Sequence, residues 1–130
     1  MLTQIPLMII PFLGFNAVLV WWGQPTFASG VFTASMMSGG IWTMTVGDCL
    51  IVIALAFLFF EIMKSTRTNN ASIVDHLLST FVFVACLVEF LLVPGAATSL
   101  FFILMMITLI DVIAGFSVSI RSAGRDVSFN

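Results

Sequence analysis

A chain of 130 residues that is 61% hydrophobic and 8% charged, with a mean hydropathy of +1.22, is not a water-soluble globule. A soluble domain carries roughly 25% charged residues because its surface must face water, and four basic and six acidic side chains cannot coat 14.2 kDa of protein. The net charge of −2 and the lack of a basic cluster exclude nucleic acid as an expected partner.

The expected architecture is an all-α membrane protein, one integral domain over residues 1–130 built as a four-transmembrane-helix bundle. The first apolar run spans about residues 5–22. It lacks the basic start of a signal peptide and is read as a retained helix, interrupted by Pro11 and loosened by Gly14 and Asn16. Trp21 and Trp22 mark its interfacial end.

An outer loop over residues 23–45 follows. Phe32, Ala34 and Met36 alternate with Thr33 and Ser35, and Ser38-Gly39-Gly40 supplies turn chemistry before Ile41-Trp42-Thr43-Met44. This pattern reads as a short extracytoplasmic β-hairpin; an irregular surface loop is the other reading.

The second helix is expected over residues 46–63 and the third over 73–93. Thr45 with Asp48, and Ser72 with Asp75, both match the capping-box pattern in which a hydroxyl and a carboxylate satisfy free N–H groups reciprocally. Pro94-Gly95 ends the third helix, and the fourth is expected over 98–120, followed by a polar tail. All four basic residues, Lys64, Arg67, Arg121 and Arg125, fall on one face of such a bundle. Short positive segments mark the cytoplasmic side, so both termini are expected in the cytoplasm, most simply of a bacterial inner membrane.

Helices packed at shallow angles repeat their contacts every seven residues. Gly47, Ala54 and Glu61 form such a stripe on the second helix. Ser72, Ser79 and Cys86 form one on the third, beside Asp75, Val82 and Glu89. Thr108, Asp111, Gly115 and Ser119 line the fourth.

Among these, Asp111 lies roughly 20 Å along its helix and Glu89 roughly 7 Å from the outer end of its own. They are candidate proton or ion sites, or polar ties between helices, with Thr108 and Ser119 expected to donate to Asp111. The tie is the favoured reading. Glu61 with Lys64 reads as a solvated or headgroup-level pair worth little, and His76 as an interfacial histidine. Cys49 and Cys86 read as small hydrophobes.

No nucleophile–base pair, phosphate loop or metal spacing is present, so neither catalysis nor a cofactor is expected. The expected function is association: an accessory or structural subunit of a larger membrane complex, or a homo-oligomer, with membrane lipids and other integral subunits as partners. The alternative is a small proton- or ion-coupled transporter or channel subunit using Asp111 and Glu89.

Overall fold

The computed structural model describes residues 5–65 and 70–128. The side chains of Ser72, Ser119, Arg121 and Arg125, and all of Arg67, lie outside what is described. The chain is mostly helical. Helix α1 (Ile9–Trp21) leads through a 3-10 turn (Gln24–Ala28) into strands β1 (Gly30–Ser35) and β2 (Ile41–Thr45). Helix α2 (Val46–Lys64) follows directly, then α3 (Asn70–Leu92), a 3-10 turn (Pro94–Ala96) and α4 (Ser99–Ser128). Three helices, α2, α3 and α4, are long and apolar enough to cross a membrane; α1 is apolar but shorter.

The differences from the sequence reading have local causes. Helix α1 has 13 residues, not eighteen. Pro11 does not break it, because Pro11 is the third helical residue, where the missing N–H would have no partner within the helix. Helix α3 opens at Asn70, so Ser72 falls inside its first turn rather than ahead of it. Helix α4 runs on to Ser128 through what reads as a polar tail. Its start is where expected, with the Thr98 hydroxyl accepting the Phe101 N–H at 3.2 Å.

The capping box at α2 is complete: Asp48 N–H donates to Thr45 Oγ1 and Thr45 N–H to Asp48 Oδ2, both at 3.1 Å. The hairpin is present as well, with Phe32 opposite Met44, Thr33 opposite Thr43 and Ala34 opposite Trp42. Gly39, at φ 91°, supplies the left-handed residue of its turn, and Met36 N–H closes on Gly40 O at 2.7 Å. Successive strand residues point to opposite sides. Phe32, Ala34, Trp42 and Met44 therefore share an apolar face, and Thr33, Ser35 and Thr43 share the other.

Helix α4 is the central strut: 39% of its apolar span is buried inside the protein, against 17% for α2. At the hairpin end the core is aromatic. Phe15 and Phe101 are fully buried, with Phe27 stacked on Phe15 at 4.6 Å and Phe101 tilted against it at 4.7 Å. The buried face of α2 is Gly47, Ala54 and Glu61, the stripe legible in the sequence.

Candidate functional site

At the opposite end of the bundle from the hairpin, three helices each bring a carboxylate to one place. Glu61 is in the last turn of α2, on its buried stripe; Asp75 is near the start of α3; Asp111 comes from α4. Asp111 lies twelve residues into its helix, roughly 18 Å from Ser99 at 1.5 Å per residue. Among the described residues one ammonium serves this group. Lys64 Nζ stands 3.1 Å from Glu61 Oε1 and 3.3 Å from Asp75 Oδ1, and donates to the carbonyl of Ile5 at 2.9 Å. Asp111 lies within electrostatic reach of Glu61, Asp75 and Lys64, and the Ser79 hydroxyl of α3 faces its carboxyl.

This arrangement revises the sequence reading in four places. Glu61 and Lys64 are not a solvated pair, since the Glu61 side chain is 1% exposed and accepts the Leu7 N–H in addition to Lys64. Surface ion pairs contribute little, whereas a buried one is strongly destabilised when either partner is lost. Asp75 is not simply a cap, because it is drawn into the same group by Lys64.

Thr108 does not donate to Asp111. Its hydroxyl turns back to its own helix and donates to Met105 O at 2.6 Å, the usual competition between a Thr hydroxyl and the backbone. His76, read as an interfacial histidine, is covered by protein. It is 5% exposed and packed against α4, its ring centroid 5.0 Å from that of Phe116. Gly115 makes room for it: a Cβ there would lie 2.9 Å from His76 Cε1.

Glu89 belongs elsewhere. It lies on α3 facing Asn16 of α1, whose own amide donates to Phe12 O at 3.0 Å. Glu89 Oε2 is buried without a hydrogen bond. Asp111 is thus surrounded by Glu61, Asp75 and Ser79 rather than by Glu89, and the two acids named as candidate sites serve different parts of the bundle.

The sequence signal for the true grouping was the stripe itself. Seven-residue spacing from Gly47 puts Glu61 on the buried side, and the i+3 position of Lys64 keeps it in reach. Nothing local announced Ile5 and Leu7 as partners. Among the described residues no group of three or more His, Cys, Asp or Glu side chains is arranged to hold a metal ion, and Cys49 and Cys86 are unbridged.

Comparison with known proteins returned no match: no family model, no curated protein and no solved structure resembles this chain. The functional reading therefore rests on the geometry alone.

Proposed function

We propose that this chain is a small, non-catalytic membrane protein of four spans that works by association, either as an accessory subunit of a larger complex or as a homo-oligomer. In this reading the Lys64 end, with the basic residues, faces the cytoplasm of a bacterial cell and the hairpin faces out. The observation that carries it is the hairpin. It contains no charge, its apolar face leaves Phe32 56% and Trp42 44% exposed, and Met37 projects at its turn. An isolated two-stranded ribbon is marginally stable in water, and apolar patches left uncovered mark interaction surfaces. Purification from native membranes in mild detergent, with a photo-cross-linking residue in place of Met37, tests this. A discrete cross-linked protein supports association; cross-links to lipid alone, on a monodisperse monomer, argue against it.

The carboxylate cluster favours a second reading, a proton- or cation-coupled role. Three carboxylates share one ammonium among the described residues, and uncompensated charge is expensive in hydrocarbon. Protons, a cation or a partner's basic group would balance it. Flux measured in liposomes distinguishes these: a leak abolished in Asp111→Asn supports the coupled reading, and an impermeable wild type removes it.

A further inference from the structure

A cleft of about 310 Å³ opens at the hairpin end between the 3-10 turn, the start of α2 and the start of α4. That volume lies at the lower bound of small-molecule sites. Its floor is hydrocarbon, from Ile51, Leu100 and Ile103, while Gln24 and Asp48 stand at its polar side. Gly47 is what lets the walls approach. A Cβ there would lie 3.0 Å from Leu100 Cδ2 and 3.2 Å from the carbonyl oxygen of Phe27.

The charge pattern narrows the occupant. Asp48 is the one charged residue between Gly23 and Phe60, and no Lys or Arg occurs anywhere in that stretch. Its Oδ2 accepts the Thr45 N–H, while Oδ1 remains available on an exposed side chain. Among the described residues no ammonium or guanidinium pairs with Asp48, so a cation bound there would come from outside the chain. An apolar lining with a lone carboxylate and an amide beside it matches an apolar chain that ends in a hydrogen-bond-donating cation.

We propose that this cleft binds an amphiphile with an ammonium head group, its chain along Ile51 and Ile103 and its head on Asp48. The ammonium can belong to a bilayer lipid or to a free long-chain amine; anionic amphiphiles are rejected by Asp48. This site is independent of the association reading, since it needs no partner protein.

The full chain is exchanged into micelles containing equal phosphatidylethanolamine and phosphatidylglycerol, and retained lipid is read by native mass spectrometry. A parallel arm titrates dodecylammonium against dodecyl sulfate in a neutral maltoside. The expected preference for the ammonium species is about fivefold, the size of one partly exposed ion pair. Asp48→Asn keeps an oxygen for the Thr45 N–H and should erase that preference. Ile103→Trp fills the floor without touching the cap, and should lose retention even if Asp48→Asn destabilises α2. Selective phosphatidylethanolamine retention that depends on Asp48 assigns the site to a lipid; Asp48-dependent binding of dodecylammonium alone assigns it to a free amine. A preference absent from the wild type, or unchanged in both variants, overturns the proposal.

Discussion

Lys64 Nζ lies 2.9 Å from the carbonyl oxygen of Ile5, so the last residue of α2 fastens the segment that leads into α1. The same ammonium holds Glu61 and Asp75, which ties three parts of the chain through one side chain. Lys64→Met keeps the aliphatic stem and removes the charge, leaving carboxylates buried without their cation. The expected loss is about 3–5 kcal/mol, read as a lowered midpoint in denaturing-detergent titration. Faster exchange of the Leu7 amide should accompany it, since Glu61 accepts that N–H. A variant with an unshifted midpoint would show that Lys64 is not the fastening.

Asp111 separates the structural role from a transport role. If its carboxyl serves as a polar tie to α3, Asp111→Asn retains the shape and can still pair with Ser79. The cost should be near the roughly 0.6 kcal/mol typical of such bonds in membranes, and below about 1.7. Asp111→Leu should weaken the bundle more, by setting an apolar side chain beside Glu61, Asp75 and Ser79. Side-by-side unfolding and flux measurements decide. A stable Asn variant with lost flux points to proton or cation transfer; a near-native Asn variant with a weakened Leu variant points to the tie.

The contact of His76 with Gly115 predicts a steric effect. Gly115→Val places a branched carbon where even a single Cβ would lie 2.9 Å from the imidazole. The ring has little freedom to retreat, since Phe116 flanks it. Overpacking of this kind costs about 1–3 kcal/mol. His76→Ala in the same background should recover part of the loss, giving a non-additive double-mutant cycle; additive losses would mean that the two residues do not press on each other.

Cysteine labelling reads the hairpin. With Cys49 and Cys86 replaced by alanine, single cysteines at Thr33 and Thr43 should react readily with an impermeant thiol reagent in intact membranes. Those at Phe32 and Trp42, on the opposite face, should react slowly because a partner or the membrane covers them. Uniform labelling would leave the apolar face in water and weaken the association proposal.

Orientation follows from the basic residues. A reporter active only in the cytoplasm should work when inserted within Thr66–Asn70 or after Asn130, and fail within Ser35–Gly40. Activity at the hairpin site would invert the proposed topology.

Where partners lie close in sequence, the chain is legible. Thr45 and Asp48 form the expected box, Gly39 turns the hairpin, and Gly47, Ala54 and Glu61 share the buried face. Each depends only on spacing along one element. Glu61 is misread as solvated because its cover is the Leu7 N–H, 54 positions away, and no residue pattern signals a backbone donor. Asp75 fits a cap and an ion-pair partner equally well from sequence, and Lys64, 11 positions earlier, decides it. Thr108 shares a helix face with Asp111, yet its own carbonyl at Met105 is the nearer acceptor. Glu89 and Asp111 are both acids within apolar helices, and the neighbours that tell them apart, Asn16 for Glu89 and Ser79 for Asp111, emerge only once α3 is packed against α1 and α4.

Helix α1 has consequences for the surrounding lipid. Its 13 residues reach roughly 20 Å, about 10 Å less than a bilayer's hydrocarbon thickness, while α2 with 19 residues reaches nearly the full depth. In the four-span arrangement proposed above, lipid touching α1 would sit in a dimple, compressed on that flank and relaxed on the flank of α2. Such asymmetric thinning costs a fraction of a kcal/mol for each ångström of mismatch. It would draw short-chain lipids, or other proteins with equally short spans, to the α1 side, giving the molecule a preferred lateral neighbour before any specific contact is made.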